Sequence, residues 1–371
     1  MEYAIVVPAF QRPASLKRLL HSLQVAAKSV KETPQLIISI DQGDGTKSLA
    51  TRMCAEEFAW EANKRIIVRS SHFGLKSHIL ACGDLTDEVG TVVLLEEDVC
   101  VSPTLFDYIK SALRHYAGHP KIAGISLYSI IYNEFSSIPF TPIDDGFDTY
   151  FAQTGSSWGQ IWTRSQWSDF RSWMSTRNEI DQVAIPDEVV RWPASSSWKR
   201  EFNYFLSERK KYVVFPRFSL STNMGDSGVH LPSPKTHLTA SLSVRRAKFT
   251  FGNLDDALAK YDSFLEIESD SLKALVPKLR AYDFDVDLTG AKDMRYFTKS
   301  HVLTCRKSLD TPILTVGLKH YPPELNVIFD EPGEDIGLYK RVSIHPEIPA
   351  GVLSRMRGFF VPSFDSRKNE A

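Results

Sequence analysis

Short apolar runs recur along the first half of the chain, each followed by a polar loop and an amphipathic stretch. Residues 3–7 predict a strand, 8–13 its exit loop, and Ser15 an N-cap for a helix whose apolar face is Leu16, Leu19, Leu20 and Leu23. Residues 36–40 predict a second strand, 41–45 a turn, and a polar helix follows. A third strand is expected at 66–68, and 71–76 lead into the next helix. Four consecutive apolar residues, Val92 to Leu95, read as a strand buried on both faces. Ser102 and Pro103 then open a helix with Leu105, Tyr108, Ile109 and Leu113 on one side. Such alternation predicts a parallel sheet with crossover helices.

Further strands are expected at 122–127 and 212–215, with a loop or hairpin over 128–150. Helices are expected to carry Trp167 and Trp173, and to run from 195–202 to about Lys211. Beyond 232–234 the texture changes. Residues 254–265 read as a polar amphipathic helix, and 284–290, 302–305, 313–316 and 325–329 as strand-like runs. The expected organisation is therefore a catalytic α/β domain over 1–235 and a smaller α+β accessory domain over 236–371. Residues 351–360 mix Arg355 and Arg357 with apolar side chains; they suit either a tail docked on its own domain or a peripheral contact with the inner membrane surface.

With 371 residues, 43% of them hydrophobic, two cores can be filled. The 44 Lys and Arg nearly cancel the 45 Asp and Glu, which argues against a nucleic-acid partner. No apolar run has the length of a membrane span and the N-terminus moves straight into a strand, so a cytoplasmic location is expected. Cys54, Cys82, Cys100 and Cys305 lack metal-binding spacing and read as reduced packing residues.

The chemistry concentrates just after the predicted strands. Glu96, Glu97 and Asp98 follow Leu95 without a spacer; so close together they repel one another unless a cation sits among them, and such hard oxygen ligands suit Mg²⁺ or Mn²⁺. The simpler alternative is an acidic strand end solvated by water. Arg12, Asp41, Asp44, His72 and Lys76 occupy equivalent places, along the sheet edge where open α/β folds put ligands. Taken singly, Asp41 and Asp44 are ordinary turn residues and His72 an ordinary loop histidine. Neither a dinucleotide fingerprint nor a P-loop is present.

The series VVPAFQRP, IISIDQGDG, SSHFGLKSHIL and VVLLEEDVCVSPTLFDYI resembles the nucleotide-sugar-binding half of GT-A glycosyltransferases, the bacterial family 2-like enzymes and N-acetylglucosaminyltransferase I-like enzymes in particular. The resemblance implies a GT-A (Rossmann-like) α/β fold and transfer of a sugar, with inversion, from a nucleotide-sugar donor, expected to be UDP-linked. The acceptor would be a saccharide or lipid-linked saccharide, in bacterial surface polysaccharide synthesis. It makes Asp98 the ligand of Mn²⁺ or Mg²⁺ and places Glu96 and Glu97 near the donor, with Glu97 replacing the usual Asp. Pro8, Arg12, Asp41, Asp44, His72 and Lys76 become candidates for the nucleoside and diphosphate pocket. Trp158 and Gly159 match the acceptor-side segment, Trp158 as a platform for a sugar ring, while Trp162, Trp167 and Trp173 read as core. Where relatives often show Trp-Asp, with the acid as general base, this chain has Trp198-Lys199-Arg200-Glu201; Glu201, or else Asp187, must take the role. The segment 219–230 resembles an N-x-G stretch followed by a histidine and makes His230 a candidate metal ligand. Loss of the base suggests the alternative of a non-catalytic nucleotide- or glycan-binding module in a polysaccharide assembly complex.

Overall fold

The computed structural model describes residues 2–177, 183–226, 238–245 and 248–358. The chain divides into two compact units, Met1–Ile130 with Gly146–Asp256, and Ile131–Asp145 with Ala257–Ala371. The boundary expected after residue 235 lies outside the described residues.

Through the first unit run β1 (Ala4–Ala9), α1 (Pro13–Ala27), β2 (Gln35–Ile40), α2 (Gly45–Glu57), β3 (Lys64–Val68), α3 (Gly74–Gly83), the short α4 (Thr86–Val89), β4 (Thr91–Leu94), β5 (Val99–Val101), α5 (Leu105–Tyr116) and β6 (Ile122–Ser126). A small hairpin, β7 (Tyr132–Asn133) and β8 (Ile138–Pro139), belongs to the second unit. The first unit resumes with β9 (Thr149–Ala152), β10 (Gln160–Thr163), α6 (Arg164–Thr176), α7 (Asp187–Arg191), α8 (Trp198–Glu208), β11 (Tyr212–Pro216) and β12 (Ser221–Asn223).

Its main sheet has the order β9-β11-β6-β10-β4-β1-β2-β3. The β3-β2-β1-β4 and β6-β11 pairs are parallel, while β10 runs antiparallel to both β4 and β6. This is the expected α/β class, a mostly parallel sheet flanked by helices. Every residue of β1 and β4 is buried, as strands covered on both faces must be. Burying Ile5, Val6 and Val7 contributes about 1.5–3 kcal/mol each. Leu16, Leu19, Leu20 and Leu23 form the buried face of α1. That helix starts earlier than expected: Pro13 sits in its first turn, where a missing N–H costs nothing, and Ser15 caps no N–H there. Trp162, Trp167 and Trp173 are buried core, as read from the sequence.

The second unit continues with β13 (Lys260–Tyr261), α9 (Ser269–Leu275), β14 (Phe284–Asp287), β15 (His301–Thr304), β16 (Leu314–Val316), α10 (Glu324–Ile328), β17 (Ile336–Lys340) and α11 (Ala350–Gly358). Its sheet has the order β14-β15-β17-β16. Two expectations fail here. Residues 254–265 form no helix, because carboxylates capture the backbone. Asp145 Oδ2 accepts from Leu258 N and Ala259 N, and Asp262 Oδ1 from Phe264 N and Glu266 N. Residues 325–329 are mostly helix α10 rather than strand; Pro323 precedes its first turn, and Asn326 Nδ2 ties it to the His320 carbonyl. In α11, Val352 and Met356 are buried and Arg355 pairs with Asp335, a tail fastened to its own unit. No helix among the described residues is long and apolar enough to cross a membrane.

Candidate functional site

The exit loop of β1 holds the candidate site together. Pro8 is buried inside the strand opposite Ser39, so the loop proper begins at Phe10. Gln11, at φ 50°, turns its side chain to the Asp44 carbonyl, while Arg12 turns the other way to the acids after β4.

Those acids sit on a tight turn. Leu95 N still donates to Val6 O, and Val99 N closes the turn on Glu96 O at 3.2 Å. Arg12 Nη1 donates to Asp98 Oδ2 at 3.0 Å and to Glu97 Oε1 at 3.3 Å. Burial first, and then the charge of Asp98, push the Glu97 carboxyl up to about 7 and Glu96 well above the usual range. Burial pulls the Arg12 guanidinium down, but Asp98 and Glu97 outweigh it and the net direction is up. One guanidinium therefore bonds two of the three crowded acids, Glu97 and Asp98. Among the described residues it leaves Asp98 Oδ1 and Glu96 Oε1 buried and without a hydrogen-bond partner. Such orphaned hard oxygens fit Mg²⁺ or Mn²⁺. Among the described residues no three His, Cys, Asp or Glu side chains are grouped to hold a metal, so an ion on Asp98 needs further oxygens from a ligand. His230 lies outside the described residues.

Asp41 is nearly fully buried at the end of β2. Its carboxylate accepts from the N–H groups of Gln42, Phe73 and Gly74 at 2.8–3.0 Å, and His72 Nδ1 lies 3.0 Å from it. Asp41 is thus committed to shaping the loop that starts α3. Exposed on that loop, His72 meets the Phe10 ring at 5.0 Å and leaves an aromatic surface beside the β1 exit. Beneath it, burial holds the His78 imidazole down at about 4, and its Nε2 contacts Ser39 Oγ at 2.8 Å.

Lys76 and Glu201 meet at 3.0 Å. Glu201 is only 1% exposed, and Arg177 and Arg200 also reach its carboxylate. Asp187, the other candidate base, stands exposed at the start of α7. Lys199 lies over the Trp192 ring, and its charge is felt at Glu96.

Trp158 is half-buried, edge-on to Tyr128 at 4.7 Å. Gly159 has φ +102°, and a Cβ there would come within 2.8 Å of Ser221 Oγ and 3.0 Å of Leu127 Cβ. The structure thus gathers Arg12, Glu96, Glu97 and Asp98 into one cluster, Asp41 and His72 into a second, and Lys76 and Glu201 into a third. Asp44 reaches the first loop through its carbonyl, which accepts from Gln11 Nε2 at 3.2 Å.

Asp226, Arg18 and Ser15 carry roles that the sequence reading did not assign. Ser15 Oγ donates to Asp226 Oδ2 at 2.7 Å, Arg18 pairs with the same carboxylate, and Arg12 Nη2 donates to the Asp226 carbonyl at 3.3 Å. Burial pushes Asp226 up, but these bonds outweigh it and hold it below the ordinary range. Met224 N donates to Asp98 O, so residues 224–226 lie against the acid turn. The available signal was the acid following N-x-G, two helix-borne partners of which stand at i and i+3.

Neither a protein-family model nor a curated protein sequence matches the chain. Among solved structures, it is similar to S. aureus TarS 1-349 in complex with UDP-GlcNAc, with 10% identity, a TM-score of 0.39, and 63% of this chain and 61% of that chain covered. It is also similar to GalNAc-T7 with UDP, GalNAc and Mn²⁺, at 10% identity and TM-score 0.40, over 58% of this chain and 42% of that one. A third is mannosyltransferase PcManGT from Pyrobaculum calidifontis with GDP-Man and Mn²⁺, at 10% identity and TM-score 0.32, over 44% and 45%.

Proposed function

We propose that the first unit is a GT-A glycosyltransferase domain that binds a nucleotide sugar, by preference UDP-linked, and transfers the sugar with inversion to a saccharide or lipid-linked saccharide hydroxyl. Synthesis of a bacterial surface polysaccharide on the cytoplasmic side is the setting this reading favours. The observation that carries it is the orphaned, buried Asp98 Oδ1 beside a guanidinium at the end of a central parallel strand. A Mg²⁺ or Mn²⁺ ion held by Asp98 would neutralise charge developing on the departing diphosphate. Phe10 and His72 would flank the nucleoside on a loop that Asp41 fixes, and Glu96 and Glu97 would face the donor sugar. Trp158 would stack on the acceptor.

Glu201, sealed among Lys76, Arg177 and Arg200, is better suited to position those cations than to take a proton. We assign proton removal from the acceptor hydroxyl to Asp187: that O–H bond breaks as oxygen attacks the anomeric carbon and the bond to the diphosphate opens. The seal on Glu201 also favours a second reading, a module that binds nucleotide or glycan without turnover. Release of UDP or GDP from a panel of nucleotide sugars, with Mn²⁺ and mixed saccharide acceptors, separates the two. Turnover supports the transferase, saturable binding without release supports the module, and no binding of any nucleotide sinks both.

A further inference from the structure

The cation that the acid turn already holds is Arg12, and its placement has a consequence for how any metal enters. Its guanidinium occupies Asp98 Oδ2, leaving a divalent ion only the orphaned Oδ1 or a displacement of the arginine. Two positive centres on one partly buried carboxylate repel strongly. Arg12 is also tethered elsewhere, through Nη2 to the Asp226 carbonyl, which Ser15 and Arg18 hold against α1. Its head group can therefore leave Asp98 by a side-chain rotation without losing every partner. A nucleoside diphosphate would offer the planar guanidinium two anionic phosphate oxygens, a two-pronged contact that suits arginine.

We propose that Arg12 is a resident counter-cation that exchanges with the divalent metal at Asp98, so that Arg12 couples metal binding to diphosphate binding. Alone, the metal must displace Arg12 from Asp98 at the expense of that charge-assisted contact. With the diphosphate present, the eviction is compensated. The proposal deepens the transferase reading and rests on Asp98 being the metal ligand. Coupling is reciprocal, so the metal strengthens diphosphate binding by the same factor.

The test measures Mn²⁺ affinity of the full chain by EPR of the free ion, with and without saturating UDP, in wild type and in Arg12→Met. The expected result is Mn²⁺ binding about tenfold or more tighter in Arg12→Met without UDP, the scale of one charge-assisted contact removed. The enhancement of Mn²⁺ binding by UDP should shrink by a similar factor. Equal Mn²⁺ affinity in the two proteins overturns the proposal. So does a gain of the same size with and without UDP, which would make Arg12 a bystander charge. Should Arg12→Met fail to fold, Arg12→Gln takes its place: it removes the charge but keeps an N–H donor for the Asp226 carbonyl, so both effects should appear. A glutamine variant identical to wild type in affinity and coupling overturns the proposal as well. Absence of Mn²⁺ binding in wild type even with UDP is a different failure, because it removes Asp98 as a metal ligand and the proposal with it.

Discussion

Lys76 Nζ donates to Glu201 Oε1 at 3.0 Å, fastening α3 to α8 across 125 residues of sequence. The carboxylate at the centre is buried, while its cationic partners are 15–25% exposed, so loss of the acid strands charges that water reaches only in part. Glu201→Ala should lower stability by about 2–4 kcal/mol, less than a fully buried pair would cost. Glu201→Gln should lower Tm yet keep kcat within a few-fold once the folded fraction is accounted for. A drop of about 10²-fold or more in kcat at unchanged Tm would instead make Glu201 the base. The same assay on Asp187→Asn should show the large kcat loss.

Asp98→Ala should leave the protein folded, because it relieves like-charge repulsion on Glu96 and Glu97 while costing Arg12 one of its partners. With Asp98 gone, Glu97 should ionise at lower pH. Titration calorimetry with Mn²⁺ and UDP should show metal-dependent nucleotide binding lost. Binding equal to that of wild type would place the metal elsewhere.

Asp41→Ala removes the acceptor of three backbone N–H groups, that of Gln42 just after β2 and those of Phe73 and Gly74 at the start of α3. The Phe73 and Gly74 amides are partly reachable by water, so the expected cost is about 1–3 kcal/mol. The sharper effect should be on hydrogen exchange: the amides of Phe73 and Gly74 lose protection while those of β1 keep theirs. Unchanged protection at both would show that another group holds the loop.

Much of this was legible in the sequence, and the misses share a cause. Strands β1, β2 and β4 announce themselves because burial on both faces demands unbroken apolar runs, and Glu96 to Asp98 stand out because three adjacent acids at the end of such a strand repel one another. Periodicity carries no record of who pairs with whom at long range. It could not show that Arg12 answers Asp98, that Asp226 reaches back to Ser15 and Arg18, or that Glu201 is enclosed by cations. Residues 254–265 misled for a related reason. Their apolar spacing is helical, but Asp145 and Asp262 claim the very amides a helix needs.

Gly159→Ala combines two penalties. Its φ of +102° is a region side chains avoid, and the added Cβ would meet Ser221 Oγ at 2.8 Å, between strands that must stay in register. A loss of about 2 kcal/mol or more is expected, read as a lower midpoint in urea. A loss below about 0.5 kcal/mol would mean the turn before β10 relaxes freely, and Trp158 could not then be a rigid platform.

Glu324 gives the pH dependence of the second unit. It is buried at the start of α10, accepts from Tyr261 Oη at 3.0 Å, and burial pushes its carboxyl up to about 7 from 4.5. The folded pKa lies above the unfolded one, so the protonated acid favours folding. Its contribution is complete below about pH 4.5 and is lost as the pH rises through 7. The span corresponds to about 3 kcal/mol at most, at 1.36 kcal/mol for each pH unit. Glu324→Gln keeps an oxygen for Tyr261 but cannot ionise. In calorimetric scans the variant should match wild type near pH 5 and unfold at higher temperature near pH 8. Curves that stay parallel across that range would mean that Glu324 is ionised in the folded protein throughout. Glu266, pushed to about 7 by burial and by the charge of Asp287, would then be the group to substitute next.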